Sequence, residues 1–196
     1  MCLKRLIDIV FTFVGLIIFS WLILIVWIIA TIETRSNGFF TQKRVGRNGK
    51  LFTLVKIKTM NTIHGIDTKI TTKDDKRITK WGKFFRRTKL DELPTLWNVL
   101  KGDMSLVGPR PDVPGYADKL EGSDRRILEL RPGITGPATL KYANEEQLLV
   151  SIDDPEKYND EVIYSDKVKM NLDYLDNRNS WLDIKIIFKT IFRSNY

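Results

Sequence analysis

Leu6 to Ile32 reads LIDIVFTFVGLIIFSWLILIVWIIATI, 27 residues in which Asp8 is the only charge. About 20 apolar residues suffice for a helix to cross the hydrocarbon core of a bilayer, so this run can cross with some tilt. A cleavable signal peptide has a shorter apolar core followed by small residues, and neither feature is present. Lys4 and Arg5 precede the run; Arg35, Lys43, Arg44, Arg47 and Lys50 follow it. The preference of basic flanks for the cytoplasm puts the chain after the run on that side. Lys4 and Arg5 prefer the same side, which leaves two arrangements open: a straight spanning helix, or one that enters, bends and returns. Either way the chain divides into a membrane helix, residues 1–36, and a cytoplasmic domain, residues 37–196.

The 196 residues carry a net charge of +8, which points to an anionic partner such as a phosphorylated metabolite, an anionic lipid or nucleic acid. Thr41 to Leu90 holds fifteen Lys/Arg against three Asp/Glu, and Asp112 to Asp183 nine against sixteen. The anion-facing surface is therefore expected from the first part of the soluble region. One cysteine and one histidine exclude a disulfide framework and the usual zinc clusters.

Phe39 to Met60 has two strand-like halves around Asn48-Gly49, a hairpin signal. Asn61 to Lys76 is polar and reads as a loop; it holds His64, to which no role is assigned. In Ile78 to Leu90, Trp81, Phe84 and Phe85 alternate with five cations, a composition suited to lipid headgroups or to stacked bases. Trp181, Ile184, Ile187, Phe188 and Ile191 recur at helical spacing beside Lys185, Lys189 and Arg193, predicting a basic amphipathic helix on the membrane or on the domain.

Leu93, Leu96, Trp97 and Leu100 predict a one-faced helix closed by Gly102, with Pro94 in its first turn. Asp91 or Glu92 then falls at or near its N-cap. Among nearby cations both should stay ionised, fit to ligate Mg²⁺ or to attack phosphorus or carbon. Taken alone, the pair is more often an ordinary cap with a solvated neighbour, because caps of this type are common. Arg110, locked between Pro109 and Pro111, and Arg131, ahead of Pro132-Gly133, lose little freedom on gripping a phosphate. Two such arginines, a glycine-rich turn and a carboxylate pair suggest phosphoryl transfer, which relies on positioning and charge rather than on histidine.

LDELPTLWNVLKGDMSLVGPRP together with RPGITG closely resembles the bacterial sugar transferases of the monotopic phosphoglycosyl transferase family. The likeness begins at Lys4, Arg5 and Asp8, continues through FFTQKRVG and KIKTM, and reaches WLDIKIIFKTI. It implies transfer of a sugar 1-phosphate from a UDP-sugar to undecaprenyl phosphate with release of UMP. By resemblance, Asp91 is the nucleophile that carries the phosphosugar covalently in a ping-pong sequence, Glu92 holds Mg²⁺, and Arg110 and Arg86 are phosphate ligands. The implied fold is α/β and mostly helical: a re-entrant membrane helix, a short β-hairpin and interfacial amphipathic helices, at the cytoplasmic face of the bacterial inner membrane. The expected partners are UDP-sugar, undecaprenyl phosphate and membrane phospholipids, with a homodimer admitted and no nucleic acid.

The sequence departs from the family pattern twice. Where many relatives break the membrane helix with Ser-Pro, this chain has Ser20-Trp21, so any bend is expected from the weaker effect of the Ser20 hydroxyl on a preceding carbonyl. After the glycine turn comes GPATLKYANEEQLLV, in which Lys141, Tyr142 and Asn144 are candidate nucleotide-sugar contacts. The rival reading is a membrane-anchored basic module that binds lipid or nucleic acid without catalysis, needing Lys43 to Lys89 but not Asp91, Glu92 or Arg110.

Overall fold

The computed structural model describes residues 2–61, 75, 77–150 and 152–192. Most of the polar stretch from Asn61 to Lys76, with His64, lies outside the described residues. The apolar run forms one helix, α1 (Cys2–Thr34), unbroken through Ser20, whose hydroxyl donates to the Ile17 carbonyl at 2.9 Å. It is long and apolar enough to cross a membrane. At 1.5 Å per residue it extends roughly 50 Å.

Both ends of α1 touch the rest of the protein. Lys4 Nζ pairs with Asp183 at 2.7 Å, Arg5 donates to the Val99 and Leu100 carbonyls, and Asp8 accepts from Ser105 Oγ and from the Leu106 N–H. At the other end Val26 and Ala30 pack on Ile57 and Phe85, and the Trp81 N–H donates to Glu33. Between these anchors Phe13, Ile17, Ile18, Trp21 and Leu24 face outward.

β1 (Phe39–Val45) and β2 (Leu51–Ile57) pair antiparallel with Val45 opposite Leu51. The turn has positive φ at both Asn48 (56°) and Gly49 (74°), the geometry that makes Asn-Gly a hairpin signal. Next come α2 (Lys80–Thr88), a 3₁₀ turn at Leu90–Glu92 and α3 (Thr95–Lys101), which Gly102 ends in the left-handed region at φ 100°. The expected helix thus begins later than its hydrophobic pattern suggests. Pro94 occupies the cap position and neither acid caps it. The turn before it is 3₁₀ because Lys89 is left-handed (φ 61°) and closes α2, so Leu90 starts a new turn.

The buried side chain of Asn98 joins α3 to the hairpin. Its Nδ2 donates to the Thr53 carbonyl at 2.8 Å and its Oδ1 accepts from the Val55 N–H at 3.1 Å, satisfying the edge of β2 that β1 leaves free. Phe52, Leu54, Val99 and Met104 form the core at this junction.

A second two-stranded sheet, absent from the sequence reading, pairs β3 (Ser105–Val107) with β4 (Gly133–Thr135) in parallel, Ser105 opposite Gly133 and Val107 opposite Thr135. Its reason is steric. A Cβ on Gly133 would lie 2.1 Å from the Gly108 nitrogen, and one on Gly136 2.3 Å from the Gly108 carbonyl oxygen. The glycines of GPRP and RPGITG let the two backbones meet.

Short helices α4 (Pro137–Lys141), α5 (Glu145–Val150) and α6 (Pro155–Tyr158) and a π turn (Asn159–Tyr164) lead to α7 (Ser165–Asn177) and α8 (Ser180–Ile191). α8 packs on the domain through one face and leaves another apolar face exposed. Ile186 is buried against Tyr174 and Leu175 while Trp181, Ile184, Phe188 and Ile191 are exposed. α2 likewise buries Phe85 and exposes Trp81 and Phe84. The architecture is mostly helical, as expected, with the predicted hairpin.

Replacing Asn98 by Ala strands a half-buried carbonyl and a half-buried N–H, at a cost of about 1–3 kcal/mol for the two groups together. The thermal midpoint of Asn98→Ala is expected to fall by roughly 5–15 °C, read by scanning calorimetry. A shift under 2 °C would show that β2 does not depend on this side chain.

Candidate active site

Three elements converge on one carboxylate oxygen. Lys56 on β2 donates to Glu92 Oε1 at 2.8 Å, and Arg110, on the segment after β3, donates to the same oxygen at 2.9 Å. Strand alternation turns Lys56 toward α3 while Ile57 packs into the core. Asn98 holds that strand against the helix that follows Glu92. Arg44, Lys56, Glu92, Thr95 and Arg110 line a shallow cavity floored by Leu54, Met104 and Ile134.

The two acids are driven apart electrostatically. Burial pulls the Glu92 carboxyl upward, but Arg110, Lys56 and Lys89 outweigh it and hold it well below the usual carboxylate range. Burial, then repulsion from Glu92, pushes Asp91 up against the pull of Lys56, Lys89 and Arg86. The positive surroundings thus prevail at Glu92, whereas at Asp91 burial and the neighbouring acid outweigh them and the shift is upward. Asp91 Oδ1 is buried with no hydrogen-bond partner among the described residues. Such an atom is costly unless something else takes it up. Burial also lowers the Lys56 ammonium, as does Arg110, against the attraction of Glu92. Arg110 is raised, chiefly by Glu92, and its side chain is 47% exposed, so the open side of the pair is the arginine side.

Two oxygen-rich carboxylates suit a hard cation. Mg²⁺ is typically held by one or two carboxylates together with substrate phosphates and water. Among the described residues no group of three or more His, Cys, Asp or Glu gathers as a metal site. Glu92, whose second oxygen lies outside the two ion pairs, could hold a Mg²⁺ there.

The structure separates the other sequence candidates. Arg86, in the last turn of α2, acts on Asp91 across the 3₁₀ turn and contacts Met60 Sδ at 3.9 Å. Arg131 sits at the opposite end of α3 from Glu92, its Nε donating to the Gly102 carbonyl at 3.0 Å beside Arg5. There the two guanidiniums satisfy the helix's terminal carbonyls. Lys141 Nζ and Tyr142 Oη both donate to Asp166 Oδ2 at 2.7 Å, fastening α4 to α7. Asn144 is exposed, and its carbonyl accepts the Leu148 N–H. Lys56 and Arg44 are site residues that sequence reasoning missed. A lysine in an alternating strand looks like any solvated cation, and only the contact with Glu92 distinguishes it.

The described charges predict a linked stability. Glu92 has a depressed folded pKa, so its contribution is complete above its unfolded value of about 4.3 and is lost as pH falls below it. Glu92→Gln is expected to lose about 2 kcal/mol near pH 7, less than a fully buried pair because Arg110 is half exposed. The difference from wild type should shrink below about pH 4. Urea titrations across this range test it; a pH-independent difference would refute the linkage.

Comparison with known proteins places this geometry in context. A family model described as bacterial sugar transferase matches residues 1–195. A galactosyl transferase of Streptococcus agalactiae is 37% identical over 205 residues, covering 96% of this chain and 41% of that protein. A UDP-glucose:undecaprenyl-phosphate glucose-1-phosphate transferase of Klebsiella pneumoniae is 37% identical over 200 residues, covering 98% and 40%. An undecaprenyl-phosphate galactose phosphotransferase of Salmonella typhimurium is 36% identical over 208 residues, covering 96% and 39%. The chain spans about two fifths of the length of these relatives.

Proposed function

The chain belongs to the bacterial sugar transferase family, and on that premise we propose that it transfers a sugar 1-phosphate from a UDP-sugar to undecaprenyl phosphate, releasing UMP and starting a surface polysaccharide or glycoconjugate. The observation that carries this reading is the division of labour between adjacent acids: Glu92 is locked as an anion by Lys56 and Arg110, and Asp91 keeps a buried oxygen with no partner.

In the proposed reaction that Asp91 oxygen attacks the sugar-proximal phosphorus of the UDP-sugar. The bond from this phosphorus to the bridging oxygen breaks, UMP leaves with the electron pair, and the phosphosugar remains on Asp91 as an acyl phosphate. An oxygen of undecaprenyl phosphate then attacks the same phosphorus and expels the Asp91 carboxylate, giving undecaprenyl diphosphosugar. Arg110, exposed beside Glu92, is positioned to take a diphosphate oxygen, and Arg86 to offset charge near Asp91. Mg²⁺ held by Glu92 would supply further neutralisation of the diphosphate. The Asp91–Glu92 pair needs no histidine for this chemistry.

The site is proposed to work at the cytoplasmic face of the inner membrane. Both ends of α1 contact one domain, which favours a helix that enters and returns over one that crosses. The exposed apolar faces of α2 and α8, set beside Lys80, Lys83, Lys185 and Lys189, suit phospholipid headgroups.

Asp91→Asn is expected to abolish UMP release, a fall of at least about 1,000-fold, while membrane association is unchanged. Wild type given UDP-sugar alone should release up to one equivalent of UMP. Luminescent UMP detection across a panel of UDP-sugars measures both, and undiminished release from Asp91→Asn would sink the assignment. For the topology, a cysteine introduced at Leu3 is expected to resist an impermeant thiol reagent added from the periplasmic side. Labelling there would establish a spanning helix.

A further inference from the structure

Arg110 is an exposed cation of the site, yet Gly108 to Asp112, the segment that carries it, has no helix or strand of its own. Its shape depends on pins. The Gly133 N–H donates to the Pro109 carbonyl at 2.7 Å on the upstream side. Downstream, Arg44 Nη1 donates to the Pro111 carbonyl at 3.0 Å and the Val45 N–H to the Asp112 carbonyl at 2.9 Å. The last pin is made of side chains: Tyr164 Oη donates to Asp112 Oδ2 at 3.2 Å, joining the segment to the π turn before α7.

Asp112 also lies among cations. Arg44 from β1, Arg110 from its own segment and Lys167 from α7 all act on it, and Tyr164 and Tyr116 face it as well. Burial and Arg110 depress Arg44, and Asp112 opposes this. The Asp112 carboxylate is thus the anion that lets two guanidiniums, Arg44 and Arg110, share one corner while Arg110 stays on Glu92. The Tyr164 ring is held in turn by edge-on contact with Tyr116 at 5.2 Å.

We propose that Asp112 and Tyr164 are positioning residues that hold the Arg110 guanidinium against Glu92 for its encounter with the diphosphate. The diphosphate part rests on the proposed sugar-phosphate transfer; the holding of Arg110 does not. Burial pushes the Asp112 carboxyl up to about 6, with Tyr164, Lys167, Arg44 and Arg110 pulling the other way. Below that pH the carboxylate is protonated and its charge no longer balances the arginines. Removing the Tyr164 hydroxyl removes one pull toward the charged form and moves the transition to higher pH.

The test is UDP binding by calorimetry to the full chain in lipid nanodiscs between pH 5 and 8, for wild type, Asp112→Asn and Tyr164→Phe. Both substitutions keep shape, and thermal melts verify folding. At pH 7.5 Asp112→Asn is expected to bind UDP about tenfold more weakly, the effect of one charge-assisted contact. The wild-type advantage should vanish by pH 5, and Tyr164→Phe should lose affinity at higher pH than wild type. A purely structural role leaves the ratio of wild type to Asp112→Asn constant with pH; that result, or equal binding at pH 7.5, overturns the proposal. Failure of wild type to bind UDP at any pH would count against the transferase reading instead. Positioning is then decided by the guanidinium nitrogen resonance of Arg110, identified by its loss in Arg110→Lys. A resonance that titrates near pH 6 in wild type and shifts in Asp112→Asn supports the inference, and one that does neither overturns it.

Discussion

One oxygen of Glu92 receives two cations, and the site depends on that meeting. Lys56 comes from the hairpin, Glu92 from the turn between two helices, and Arg110 from the segment after the parallel strand pair. Each brings a charge that would be unfavourable to bury alone. Together they leave Glu92 ionised, beside an Asp91 whose Oδ1 has no hydrogen-bond partner among the described residues. Two adjacent carboxylates thereby acquire different environments, the usual way in which a pair of like groups is given different work.

The surrounding fold serves to make that meeting rigid. Asn98 substitutes for a missing strand neighbour and sets the height of Lys56 against α3. Gly108, Gly133 and Gly136 remove the side chains that would separate the Arg110 segment from β4. Asp8, within the long apolar helix, accepts from Ser105 and Leu106 on β3, so the strand leading to Arg110 is tied to that helix. Lys4, Asp183 and Tyr174 make a parallel link between the start of α1 and α8. The only charge in the apolar run and both of the cations before it are thus anchors to the domain.

Much of this was legible in the residues. Asn48-Gly49 announced the hairpin, Gly102 the end of α3, and the spacing of Trp181, Ile184, Phe188 and Ile191 the exposed face of α8. These are local signals, set by backbone freedom or helical period within a few residues. The start of α3 was misjudged because Leu93 fits the apolar period, while the left-handed Lys89 had already reset the chain geometry. Lys56 carried no signal of its own. Arg131 matched Arg110 in its proline-rich setting, yet tertiary packing carried one to Glu92 and the other to the far end of α3.

From the residues alone it follows that this chain carries an apolar run long enough to cross a membrane, that its basic half precedes its acidic half, and that its motifs resemble those of the bacterial sugar transferases. Those conclusions follow from composition, hydrophobic length and motif, which survive any arrangement of the elements. Only the tertiary structure decided which acid is paired and which is left with an unpartnered oxygen, because that difference arises from burial and from cations up to 36 positions away along the chain. It also decided that both ends of the apolar helix face one domain, a relation between residues as distant as Lys4 and Asp183 that no local pattern encodes.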